Sequence, residues 1–213
     1  LKDKGIKLLI AGSNPTNKLI NECKKYKNIT LIKNPIDMSK LIISSKISVA
    51  PMISGSGQQN KIIESHWKNR KRSKFIKSTF DVLILASIIE KEGKKSEELK
   101  NISSVFLNRL NKNMKLQSDV TVAYALNKKG NNLSTLDLKS KNYFNTYRYR
   151  GLPPTPICYP GEKAILAVLY PNNTDYLYFV SDGKGGHRFS KNFSEHKKNI
   201  KLWIKDLKSY GKN

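Results

Sequence analysis

Residues 81–93 read DVLILASIIEKEG. Positions 82–89 carry a single polar side chain, Ser87, before the run ends in Glu-Lys-Glu-Gly. Eight residues fall far short of the roughly 20 that a membrane helix needs. With Asp81 expected as its N-cap, the stretch predicts a helix apolar on every side, and such a helix has to be enclosed by other elements. The two carboxylates at its end, Glu90 and Glu92, are then held at the edge of a core. Two residues apart on a helix they point about 200° away from one another. They therefore cannot form the facing carboxylate pair on which most glycosidases rely. Glu92 stacks over Ile88 and Ile89 with Leu85 a turn further back. Glu90 stacks over Ala86 and Ser87. Apolar surroundings raise a carboxyl pKa by desolvation, which suits a proton donor, so Glu92 is the better acid.

The surrounding sequence changes texture near residue 65. Before it, strands are expected at 6–12 (IKLLIAG), 29–32 (ITLI) and 47–51 (ISVAP), with helical segments at 16–25 and 39–44. Alternating β and α units predict a small parallel sheet. Gly55 and Gly57 then open a helix near Gln58. Residues 66–77 (HWKNRKRSKFIK) form a basic run that reads as a solvated linker. Beyond the apolar helix, a second helix is expected from Glu97 to Leu110 and a third in the latter half of KLQSDVTVAYAL. A Tyr-rich extended stretch (143–149), the turn GLPPTP (151–156) and a short helix at 162–169 follow. DYLYFVS (175–181), DGKGG and HRFS form a β-hairpin, and a basic amphipathic helix closes the chain.

Composition narrows the function. The net charge of +24 over 213 residues attracts polyanions. Lysine far outnumbers arginine, however, and Lys, Asn and Ile share A/T-rich codons. Nucleic acid is not the expected partner, because specific readers lean on arginine. The two cysteines, Cys23 and Cys158, form neither a disulfide framework nor a metal site, and the three histidines lack ligand spacing. No metal or cofactor is expected.

Several blocks carry a resemblance: ASIIEKEG (86–93), SVFLNRL (104–110), MKLQSDVTVAYAL (114–126), YFNTYRYRGLPPTPI (143–157), DYLYFVSDGKGGHRFS (175–190) and Glu195-His196. In order, spacing and wording, residues 80–210 resemble the MltG (YceG-like) family of endolytic murein transglycosylases. That resemblance implies an α+β catalytic domain acting on peptidoglycan glycan strands. It implies cleavage of the β-1,4 bond between N-acetylmuramic acid and N-acetylglucosamine, leaving a 1,6-anhydro end. The family's catalytic glutamate falls on Glu92. Asn108, Gln117, Asp119 and Thr121 then offer polar partners to the sugars, Tyr124, Tyr147 and Tyr149 offer flat faces, and GKGGH offers backbone N–H groups and His187. Each also has a structural reading: Asn108 and Asp119 as caps, the tyrosines as core. Val120, Phe144 and Thr155 stand where the family usually has Pro, Asn and Gly.

The family is membrane-anchored, facing the periplasm or cell wall and linked to wall synthesis. This sequence shows no signal-peptide pattern and no membrane segment. Residues 5–64 instead resemble part of the C-terminal domain of a GT-B, group-one glycosyltransferase, carried by IKLLIAGSNP, ISVAP and SGSGQQNKIIE. That implies a vestigial nucleotide-sugar site at Gly55, Gly57, Lys61 and Glu64. The expected organisation is a chimera: a partial Rossmann-like α/β fragment (1–64), a basic linker (65–79) and the transglycosylase domain (80–213). The expected activity is that of a lytic transglycosylase with Glu92 as sole acid and base. The alternatives are a non-catalytic peptidoglycan-binding remnant and a glycosyltransferase fragment.

Overall fold

The computed structural model describes residues 8–12, 17–27, 29–33, 56–128 and 132–210. The chain divides into two compact units, Leu1–Ala50 and Pro51–Asn213. In the first, strand β1 (Leu8–Gly12) and strand β2 (Ile29–Lys33) pair in parallel, Leu8 opposite Ile29 and Gly12 opposite Lys33. Helix α1 (Asn17–Lys24) connects them, as a parallel pair requires. This is one β-α-β unit. The expected strand at 47–51 and helix at 39–44 lie outside the described residues, so a larger Rossmann-like sheet is not shown.

The second unit is built around α3 (Thr79–Glu92). Helices α2 (Ser56–Trp67), α4 (Leu99–Asn111), α5 (Asp119–Leu126) and α6 (Glu162–Leu169) all pack against it. With neighbours on all sides, Val82–Ile89 is buried without interruption. That is why the sequence shows no polar face there. Ser87, at the centre, donates its hydroxyl to Ile84 O (2.7 Å) and accepts Ile157 N–H (2.9 Å), which ties the proline-rich loop to the helix. Burial of one aliphatic side chain contributes about 1.5–3 kcal/mol, so this helix supplies much of the unit's core. Strands β3 (Tyr178–Ser181) and β4 (His187–Ser190) form the expected antiparallel hairpin, against which α7 (Phe193–Tyr210) and α4 pack.

Several expectations are corrected. Asp81 is not the N-cap of α3. Ser78 holds that position, and Asp81 completes a reciprocal capping box, its carboxylate accepting Ser78 N–H at 2.8 Å while Ser78 Oγ accepts Asp81 N–H at 3.1 Å. The boundary expected after Glu64 is not where the fold divides. Residues 56–64 belong to the second unit, because α2 buries Gln59 and Ile63 while packing on α3 and α6. The basic run, with one buried residue along its length, is tied to the body at two points: Lys71 N–H donates to Leu169 O (2.9 Å), and Ile76 is buried. The nucleotide-sugar reading loses its geometry in the same way. Gly55 is outside the described residues, Gly57 is in the first turn of α2, and Lys61 and Glu64 are exposed on that helix and do not line the cleft at Glu92. None of the helices described there is long and apolar enough to cross a membrane.

Helix α3 stops at Gly93, whose N–H still bonds to Ile89 O at 2.9 Å. A Cβ placed on Gly93 would sit 2.2 Å from Leu99 Cδ2 and 3.2 Å from Ile102 Cδ1. Gly93→Ala should therefore destabilise the unit by about 1–3 kcal/mol through overpacking, measured by urea unfolding. An unchanged midpoint would show that α4 gives way freely.

Candidate active site

Glu92 is the last residue of α3 and opens into a cleft of about 440 Å³. From α4 the cleft receives Val105 and Arg109, from the segment entering α5 Leu116, Gln117 and Asp119, and from the Tyr-rich loop Tyr147. The hairpin and the start of α7 close it with Tyr178, His187, Phe193 and His196. The core helix thus delivers one carboxyl to a polar gap walled by aromatic rings.

The surroundings of Glu92 set its proton affinity. Burial pushes its pKa from the ordinary 4.5 up to about 7; a hydrogen bond from Ser118 works against that shift, and the negative charge of Asp119 reinforces it. Ser118 Oγ donates to Glu92 Oε1 at 2.5 Å. Ser118 is itself fixed: its N–H donates to Thr146 Oγ1 (3.0 Å), and its carbonyl accepts the Thr121 hydroxyl (2.7 Å). Asp119, in the first turn of α5, accepts the Tyr147 hydroxyl at 2.6 Å. Burial, followed by that hydrogen bond, drives the Tyr147 pKa well up, so the phenol stays a donor. Gln117 has φ 51°, a left-handed conformation that costs a non-glycine residue about 1 kcal/mol or more. Its N–H bonds to Thr146 O (3.2 Å), and its side-chain oxygen accepts Arg109 Nη1–H (3.3 Å).

Arg109 is 7% exposed. It donates to Leu177 O (2.6 Å), Leu116 O (2.8 Å) and Lys115 O (3.2 Å), so one guanidinium joins α4, the β3 strand and the loop before α5. On the far wall, Glu98 accepts the His187 backbone N–H (3.0 Å) and pairs with His187 Nδ1 (2.8 Å). Glu90, by contrast, has a structural role. Its Oε2 accepts Gly161 N–H at 3.1 Å, at the N-cap of α6, where a carboxylate also meets the positive end of the helix dipole.

The structure brings Glu92, Gln117, Asp119, Tyr147 and His187 into one cleft and leaves other expected residues out. Thr121 is fully buried and hydrogen-bonded to Ser118 and Thr146. Tyr124 packs on Phe144 and Tyr149 stacks on Tyr143. Asn108 spends its amide on Thr174 O (2.7 Å) and Tyr176 O (3.0 Å), beside a separate hollow lined by Lys112, Asp175 and Lys191. The GKGGH amides are not offered outward: Lys184 and Gly186 N–H go to Asp182, and His187 N–H to Glu98. Sequence reasoning missed Ser118, Arg109, Tyr178 and Phe193, and quoted His196 only with Glu195 as a closing block, without a role. Arg109 and Ser118 lie inside the quoted blocks, but neither residue type signals a role until the fold places it. Among the described residues no cluster of three metal-ligating side chains exists.

The comparisons with known proteins point one way. The model of the YceG-like family matches residues 45–202. An endolytic murein transglycosylase of Bacillus subtilis (strain 168) is 39% identical over 147 residues, which are 69% of this chain and 40% of that protein. One from Streptococcus pneumoniae serotype 2 is 37% identical over 126 residues, 56% of this chain and 23% of that protein. A crystal structure of a yceG-like protein from Listeria monocytogenes superposes with a TM-score of 0.57 at 38% identity, covering 67% of this chain and 44% of that one. The chain spans well under half the length of these relatives. The family match begins upstream of α2 and so takes in the 54–64 segment read above as part of a glycosyltransferase.

The raised pKa has a stability signature. Unfolded, the Glu92 carboxyl titrates near 4.5; folded, near 7. Between those values the folded state holds the extra proton, so this group's contribution falls as pH rises through the window. Glu92→Gln should therefore gain stability over the parent at pH 8 and not at pH 4, by urea unfolding. An equal difference at both pH values would contradict the raised pKa.

Proposed function

The chain belongs to the YceG-like family, and from that premise we propose that its second unit, Pro51–Asn213, is an endolytic murein transglycosylase that cleaves peptidoglycan glycan strands with Glu92 as acid and base. One observation carries the reading: a carboxyl with pKa about 7 at the edge of a buried helix, open to a sugar-sized cleft with aromatic walls. At neutral pH such a group is poised to give and to take a proton. Protonated Glu92 donates to the glycosidic oxygen between N-acetylmuramic acid and N-acetylglucosamine as the C1–O bond breaks. The resulting carboxylate then accepts the proton of the muramic C6 hydroxyl while O6 bonds to C1 of the same sugar. The product carries a 1,6-anhydro end, and no water is activated. The nucleophile belongs to the same sugar ring, which confers the large advantage of an intramolecular reaction.

Ser118 has a defined part in this cycle. Its hydroxyl stabilises the Glu92 carboxylate that forms on proton donation, which eases the first transfer and keeps the proton affinity from rising further. Asp119 is a second carboxylate in the cleft, but one of its oxygens is committed to the Tyr147 hydroxyl. Its role is to keep the Glu92 proton affinity high. Gln117, Tyr147 and His187 face the sugars as polar and aromatic walls. In this reading the whole protein works at the cell wall, on the outer side of the membrane, as the family resemblance implies.

Incubation with uncrosslinked glycan strands, followed by mass spectrometry, should show anhydro-ended internal fragments. Glu92→Gln should lower the rate by about 10²–10⁴-fold without loss of fold. Identical product profiles for parent and Glu92→Gln would refute the mechanism, and strand binding without cleavage by either form would favour a binding module. The parent's rate should decline above about pH 7 as Glu92 loses its proton. Asp119→Asn removes a like charge, so its alkaline limb should move to lower pH, read from the pH dependence of kcat. A limb that stays put or moves up would remove Asp119 from this role.

A further inference from the structure

One polar group in the cleft has no structural explanation. His196, in the first turns of α7, lines the cleft with its ring 5.0 Å from that of Tyr178 at 22°, a stacked pair. Phe193 packs at its edge, 6.3 Å away. Arg109 contacts the same Tyr178 ring at 5.0 Å. The His196 Nδ1 atom is buried with no hydrogen-bond partner, whereas Nε2 is not among the buried unpaired atoms. Because the residue lines the cleft, Nε2 is the ring nitrogen left to meet a ligand there.

The tautomer follows from the cost of each choice. A buried N–H with no acceptor is among the rarest defects in folded proteins, while an under-used acceptor is better tolerated. The proton thus sits on Nε2 and Nδ1 keeps its lone pair. Burial, then the charge of Arg109, holds the His196 pKa below its ordinary value. The ring is an uncharged donor at neutral pH. A neutral imidazole N–H suits an uncharged oxygen acceptor.

We propose that His196 is a specificity-determining residue of this cleft, donating from Nε2 to the carbonyl oxygen of a 2-acetamido group on the bound sugar. Tyr178 and Phe193 beside it supply an apolar face for the acetamido methyl. A plain hydroxyl in place of the acetamido group offers neither the methyl nor the strong carbonyl acceptor. The assignment rests on the reading of the cleft as a glycan site. It sits beside Tyr178 and Arg109 and involves neither Glu92 nor Ser118.

The test uses the full 213-residue chain carrying Glu92→Gln, so that bound sugar is not turned over. Calorimetry compares two neutral tetramers: N-acetylglucosamine tetraose and cellotetraose, which has hydroxyls in place of acetamido groups. The parent should prefer the acetylated sugar. Adding His196→Phe keeps the stack on Tyr178 and should weaken that sugar about tenfold, with cellotetraose unchanged. Adding His196→Gln, which returns an N–H donor, should restore binding to within about threefold. Equal loss for both sugars, or no loss in His196→Phe, overturns the assignment while leaving the glycan reading intact. Failure of the parent to bind either tetramer, together with no cleavage of glycan strands by the Glu92 form, overturns both.

Discussion

A helix that is apolar on every side is stable in water only when other elements close around it, and the rest of the second unit follows from satisfying α3. Four helices do so, and three of them arrive with a task at the helix end. Helix α6 brings Gly161 to Glu90, α5 brings Ser118 and Asp119 to Glu92, and α4 supplies Leu99 against Gly93. The site is therefore no separate addition to the core. The terminus of the most buried helix is the place where a carboxyl can be attached to the protein interior and still reach solvent.

The electrostatics follow from that placement. Two glutamates two residues apart have opposite fates because the helix turns one toward a backbone N–H and the other toward a gap. Around Glu92 the balance is between desolvation and the Asp119 charge on one side and a single short hydrogen bond on the other. No formal cation is needed to hold the proton near neutrality. The nearby guanidinium of Arg109 is instead directed at carbonyl oxygens, where it fixes geometry.

Much of this was legible in the sequence, and the failures have physical causes. The α3 helix with Glu92 at its end, the helix at 162–169 and the hairpin could be read directly, because each rests on local periodicity or turn chemistry. Asp81 was misassigned by one turn: Ser78-Thr-Phe-Asp81 is itself a capping-box pattern, and the reciprocal bond makes Ser78 the cap. The division at residue 64 was misread because composition changes there while packing does not: Gln59 and Ile63 face the core that follows them. Ser118, Arg109 and His196 were illegible for a different reason. Their meaning lies in contacts across 26, 68 and 18 residues, to Glu92, Leu177 and Tyr178, which no local pattern encodes. Asn108 carried two readings, sugar partner and structural cap; in the fold its amide goes to the carbonyls of the strand's lead-in.

Helix α4 spans the full width of the cleft wall and holds the hairpin at two points. Glu98, just before its first turn, clasps His187 through both backbone and ring, and Arg109, in its last turn, grips Leu177 O. A hinge needs one free end, and this hairpin has none. The gap facing Glu92 is thus bounded on the hairpin side by contacts to both ends of one helix. Widening the gap by swinging the hairpin outward would give up a carboxylate–imidazole pair or a buried guanidinium bond. Under the proposed glycan reading, a gap bounded in this way would select a strand by its cross-section, whatever length of chain extends beyond either mouth.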